Sequence, residues 1–183
     1  MNDIKNVILS DQNPLLRQYS SDLDVNNIKP DEQKLIDLMV KYIDIAYNNE
    51  AEKYGINSGI AIAGNQVGLL KKVIYIHFEF NNVEYKYLLA NPKIISHSYG
   101  MCYLSDGEAC LSVLQKHHGI VPRYQKIIVK AFDLINKKMI KINAENLFSI
   151  CLQHEIDHLS GVLYYDHINK ENPDFVKPEW IKL

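Results

Sequence analysis

The chain has 183 residues, 47% of them hydrophobic and 23% charged, the proportions of a folded soluble protein rather than a disordered one. That length fits one domain, expected over 1–183, and a formal net charge of -2 leaves no broad basic surface, which argues against nucleic acid as a main partner. No apolar run approaches the roughly 18 residues that cross a bilayer, and Met1-Asn2-Asp3-Ile4-Lys5-Asn6 is too polar for a signal-peptide core. The three cysteines, Cys102, Cys110 and Cys151, show no framework spacing. They fit a reducing compartment, so the cytoplasm is expected, with thiols that are structural, metal-bound or catalytic.

In chain order, Leu35, Ile36, Leu38, Met39, Tyr42, Ile43 and Ala46 recur at three- and four-residue steps, which predicts a helix from Asp31 to Tyr54. Pro30 suits its first turn and Gly55 its end. Next, small residues alternate with isoleucines from Ser58 to Gly68. The glycine spacing there matches neither a phosphate loop nor a dinucleotide fingerprint. Two readings stand: a tightly packed strand and turn, or backbone that approaches a ligand closely with Gln66 as a neutral hydrogen-bond donor. Val73 to Phe80 and Val83 to Ala90 read as strands around an Asn81-Asn82 turn. Lys93 to Ser96 and Lys126 to Leu134 are further strands, and Asn136-Lys137 is another turn. Asp106 to Ser112 reads as a turn running into a strand. From Ala144 to Ser160 the pattern is helical, with Gly161 placed to cap it. The order predicts an α+β fold, with antiparallel sheets around a central helix in the C-terminal half.

That last helix carries His154-Glu155-Ile156-Asp157-His158. Histidines at i and i+4 share one helical face and can converge on a single metal ion. Glu155 follows the first by about 100°, so it flanks such a site without ligating and can move a proton to or from the reacting groups. Solvated histidines on a polar face would give the same pattern. A hydrolytic site also needs a third protein ligand. The zinc-protease class that shares Gly161 requires a histidine at position 164, where this chain has Tyr164. A later-helix glutamate would have to be Glu171 or Glu179, in a tail broken by Pro173 and Pro178. Cys151 and His158 lie about 10 Å apart along a helix axis, too far for a short thiol to join both imidazoles. Cys110, on a separate segment, is a candidate thiolate that spacing alone does not decide.

Three stretches in this order resemble the motifs of the peptide deformylase family. They are Gly59-Ile60-Ala61-Ile62-Ala63-Gly64-Asn65-Gln66, Glu108-Ala109-Cys110-Leu111-Ser112, and Gln153-His154-Glu155-Ile156-Asp157-His158-Leu159. The similarity runs from Ile8-Leu9-Ser10-Asp11 to Asp166, and the approach from Asn91 to Asp106 looks like the subgroup of Gram-positive bacteria and their wall-less relatives. The resemblance implies a metal held by Cys110, His154 and His158: usually Fe2+, with Zn2+, Ni2+ or Co2+ able to substitute. It implies that Glu155 acts as general base and then general acid, with the Gln66 amide and the Leu111 N–H stabilising the oxyanion. Ile60, Ile150 and Cys151 would form the methionine pocket, and Gly59 and Ala61 would also bind substrate. Arg123, Asp157 and Glu108 would brace the site. The implied substrate is the formyl-methionine terminus of newly made polypeptides, with formate released. Ribosome contact and a monomeric state are expected, and no membrane or nucleic-acid partner is. Ala61, Gly64 and Ala109 depart from the family pattern by one methyl group each. Any effect of these would fall first on substrate affinity, the extreme case being a relative that binds metal without turnover. Leu114-Gln115-Lys116 is unlike most relatives, and His117-His118 reads as a solvated pair near the substrate mouth.

Overall fold

The computed structural model describes residues 4–183, so Met1, Asn2 and Asp3, on which the signal-peptide reading partly rests, lie outside the described residues. Helix α1 spans Pro30–Tyr47 and a single turn, α2, spans Ala51–Tyr54. The sequence predicts one continuous helix here. Asn49 instead takes a left-handed backbone (φ 58°) and breaks it, a conformation asparagine tolerates better than most residues. Pro30 opens α1 and Gly55 (φ 62°) closes α2, as expected.

Five antiparallel strands form the main sheet in the order β1-β2-β3-β6-β7. They are β1 (Ala61–Ala63), β2 (Val73–Phe80), β3 (Val83–His97), β6 (Lys126–Asp133) and β7 (Lys138–Glu145). Asn81 and Asn82 both have positive φ (52° and 59°), the backbone a two-residue hairpin turn demands. Strand β3 joins two runs that the sequence separates at Ala90. Asn91 (φ 52°) and Pro92 sit at a register shift in the pairing with β6, so the proline costs no ladder hydrogen bond. A second sheet, β5-β4-β8, joins β4 (Met101–Tyr103), β5 (Arg123–Tyr124) and β8 (Ile181–Lys182). Its β4–β8 pair is parallel, a departure from the purely antiparallel expectation.

Both faces of the main sheet are covered, which explains why β2 reads as an almost unbroken apolar run. Ile74, Ile76 and Phe78 join Ala61, Ala63, Leu89, Val129 and the helix residues Phe148, Cys151 and Leu152 in one buried cluster. Val73 and Tyr75 point the other way, to Ile36, Met39 and Ile43 of α1, as the two-residue period requires. The central helix, α3, spans Asn146–His158. Gln153 ties it to β5: its Oε1 accepts from the Tyr124 N–H (3.0 Å) while its Nε2 donates to the Tyr124 carbonyl (2.9 Å). No helix among the described residues is long and apolar enough to cross a membrane.

After α3 the chain turns at Gly161 (φ 73°), where a Cβ would be driven into the backbone carbonyl of Arg17. The Arg17 side chain in turn donates to the Gly161 carbonyl (3.2 Å) and pairs with Asp166. Gly161→Ala therefore combines left-handed strain with a backbone clash. It is expected to lower stability by about 3 kcal/mol or more, read in a thermal melt as a fall in Tm of about 6–12 °C.

Candidate active site

A cavity of about 460 Å³ opens between β1, α3 and the irregular segment 104–122. On α3, His154 lines it, His158 lies buried one turn further on, and Cys110 meets both from the loop. One donor atom from each of Cys110, His154 and His158 lies within 4.8 Å of the others. Cys110 Sγ is 3.2 Å from His158 Nε2. The sequence reads Cys110 as running into a strand, but the structure puts it in a loop closed by a hydrogen bond from the Val113 N–H to the Cys110 carbonyl (3.1 Å). In such a turn the N–H of the second residue, here Leu111, is left out of the turn's own bond.

Each candidate is held by an identifiable partner. His154 Nδ1 is 2.7 Å from a Glu108 carboxylate oxygen, which leaves Nε2 to face Cys110. Both Nε and Nη2 of Arg123 donate to Glu108 (2.7 and 3.0 Å), and Nη1 donates to Asp157. Asp157 also pairs with His167 (2.7 Å). Burial disfavours the Glu108 carboxylate, yet the His154 hydrogen bond and the Arg123 charge outweigh it and hold the carboxyl down at about 2. The bracing roles expected of Arg123, Asp157 and Glu108 thus correspond to real contacts.

Gln66 is buried, and its orientation is fixed by the Ala63 N–H donating to Oε1 (2.8 Å). That turns Nε2 toward Ser112 Oγ (3.0 Å) and Cys110 Sγ (3.5 Å). Glu155 is 4% exposed, with Oε2 lacking any hydrogen-bond partner among the described residues. Burial raises its carboxyl to about 7. A carboxyl left unpaired in such a place points to a group outside the chain that it serves.

Gly59, Ile60, Ala61, Ile150 and Cys151 all line the cavity. Ile150 and Cys151 are buried, and burial pushes the Cys151 thiol well up, so it stays neutral and behaves as an apolar wall. Ile60 is 43% exposed at the mouth. A Cβ on Gly59 would lie 2.8 Å from Leu111 Cδ1, so the bare backbone lets the first motif pack against the second. Gly64, where the family pattern has alanine, is required here: a Cβ would come within 2.8 and 2.9 Å of the Leu69 and Lys71 carbonyls. Ala109 is exposed and is not among the residues with positive φ, so replacing glycine costs no backbone strain.

Sequence reasoning missed four residues. Asn65 Nδ2 donates to the His158 carbonyl (2.6 Å) and ties the first motif to the end of α3. Ser112 orients Gln66. Both lie inside quoted motifs and were legible as their polar, buried members. Tyr164 and His167 carried no signal, because they follow α3 in a short segment where no helical or strand period links them to His117 and Asp157, their partners.

A family model described as polypeptide deformylase matches residues 5–174. The peptide deformylase of Ureaplasma parvum serovar 3 is 46% identical over 176 residues, spanning 96% of this chain and 89% of the relative. Peptide deformylase 2 of Bacillus anthracis is 41% identical over 176 residues, spanning 96% and 95%. Among solved structures, PDF from a Vibrio parahaemolyticus bacteriophage, in complex with actinonin, matches with a TM-score of 0.66 at 32% identity, covering 85% of this chain and 98% of that one. Family match, relatives and geometry agree, and the chain belongs to the polypeptide deformylase family of metal-dependent hydrolases.

Proposed function

We propose that the chain, acting as one catalytic domain, removes the formyl group from formyl-methionine termini with Cys110, His154 and His158 as metal ligands. The observation that carries this is the convergence of those three donors within 4.8 Å beside a cavity that also holds Glu155. The donor set fits a metal: one soft thiolate and two imidazoles, one of them oriented by Glu108, suit Fe2+, Zn2+, Ni2+ or Co2+. Ferrous iron is the proposed resident. When bound, the metal supplies Lewis acidity that activates a water and polarises the formyl oxygen.

The chain's own residues supply the rest. The methionine side chain enters between Ile150 and Cys151, with Ile60 at the mouth. Strand β1 is the end strand of its sheet, so the peptide lies extended along its open edge, past Gly59 to Ala61. Glu155 takes a proton from the attacking water. As negative charge develops on the former formyl oxygen, the Gln66 amide and the Leu111 N–H donate to it, with Gln66 already fixed by Ala63 and Ser112. Glu155 then returns its proton to the methionine nitrogen as the C–N bond breaks, which gives formate and a free amine. The enzyme works as a cytoplasmic monomer on chains leaving the ribosome.

The test is formate release from a formyl-Met tripeptide by anaerobically prepared protein. Chelation is expected to abolish release, and reloading with Fe2+ or Ni2+ to restore it. Metal bound in a one-to-one ratio without formate would reject the reaction for that substrate.

A further inference from the structure

The cavity mouth carries a residue that the chemistry above does not use. Leu114 lines the same cavity as Ile60 yet is 72% exposed, so its aliphatic side chain stands at the rim, within reach of whatever enters. Its loop is tied down in several places. The Val113 N–H donates to the Cys110 carbonyl and Lys116 Nζ to the Asp106 carbonyl (2.6 Å). The His117 N–H donates to the Tyr164 hydroxyl (2.9 Å), and the His117 ring packs on Tyr165 at 4.1 Å. His118 pairs with Asp174 (2.9 Å), and the Ile120 N–H donates to the Pro173 carbonyl (2.8 Å). His117 and His118 are exposed, as the sequence reads them, and each also has a partner in the fold. Tyr164 is fully buried, with its ring parallel to the His154 imidazole (6.1 Å, 17°), so one side chain spans from a proposed metal ligand to the rim.

A peptide extended along β1 alternates its side chains between two sides. With the first residue in the methionine pocket, the second points away, and the third returns about 7 Å further on to the pocket's side. Resting on the reading of this cavity as the formyl-methionyl site, we propose that Leu114, with Ile60, is a specificity-determining residue favouring an apolar third residue, and that the Tyr164 hydroxyl positions it. A rim held in place before substrate arrives loses less entropy on binding than one ordered by it, so the hydroxyl acts on affinity rather than on the chemical step.

The experiment compares formyl-Met-Ala-Leu with formyl-Met-Ala-Ser on the metal-loaded enzyme. The wild type is expected to favour the leucine peptide in kcat/KM by about tenfold. Leu114→Ser brings the ratio to about one, and Leu114→Met keeps the preference. Tyr164→Phe removes the acceptor and His117→Pro removes the donor of the same hydrogen bond. Each raises KM for the leucine peptide by a few-fold more than it changes kcat, and the double variant adds little to either. Using both sides of the bond keeps the test valid if one variant misfolds. A wild type without preference, or a Leu114→Ser enzyme that retains it, overturns the inference and leaves deformylation standing. Absence of formate from either peptide removes the deformylase reading and this inference together.

Discussion

Glu155→Gln is expected to lower kcat on a formyl-methionyl peptide by about 10²–10⁴-fold, the contribution a positioned acid/base group makes, equivalent to roughly 3–5 kcal/mol of barrier. Glu155 flanks the three donor atoms and is not one of them, so metal content is expected to stay at one per chain. Its Oε2 is buried without a partner among the described residues, a cost carried by the folded protein. Metal-free Glu155→Gln is therefore expected to melt at or above the wild-type temperature, as substitutions that relieve an active-site burden often do. Lost turnover with retained metal and undiminished stability is the combined signature. A variant that keeps most of its activity would remove Glu155 from the mechanism. One that loses metal would recast it as a ligand.

Arg123→Met is expected to act on the fold and the site together. The guanidinium is 3% exposed and bridges two carboxylates, Glu108, itself buried, and Asp157. Removing it leaves both without their main cation, a change of about 3–5 kcal/mol for a broken buried pair. Because Glu108 also orients His154, metal affinity is expected to fall by about 10–100-fold, the usual effect of losing a partner behind a ligand. Denaturant titration measures the first effect and competition with a chelator the second. Arg123→Lys keeps the charge but cannot reproduce the two-pronged contact to Glu108, so it should recover only part of either. Unchanged metal affinity in a folded Arg123→Met protein would show that Glu108 orients His154 without help.

The sequence made the helical half of the site legible because the helix period is strict. His154 and His158 share a face for no reason beyond their spacing, and Glu155 falls beside them. Cys110 was not legible from spacing, since no local period links a loop residue to a helix 48 positions away; it entered through the resemblance. The same contrast governs the fold. Strand β2 matched its expected bounds because its core residues and its turn agree. The predicted helix over 31–54 failed at Asn49, and β3 outran its expected end because a register shift absorbs Pro92. Strand β7 went unrecognised: its eight residues include two lysines and an exposed Met139, and its burial alternates only toward its C-terminal half. Local pattern fixes elements where one face is clearly buried, and it is silent where a side chain's partner arrives from elsewhere in the chain.

The segment 104–122 has neither helix nor strand of its own, yet it contributes Cys110 to a cluster whose other members belong to a rigid helix. Any ion joining these three groups is therefore also a cross-link over the 48 positions between Cys110 and His158. The three donors already stand within 4.8 Å of one another in the fold, so folding itself closes the loop between them, and by linkage the binding free energy of an ion adds to the stability of the folded state. Catalytic competence and resistance to unfolding thus depend on one shared equilibrium, and a change at any of the three donors shifts both.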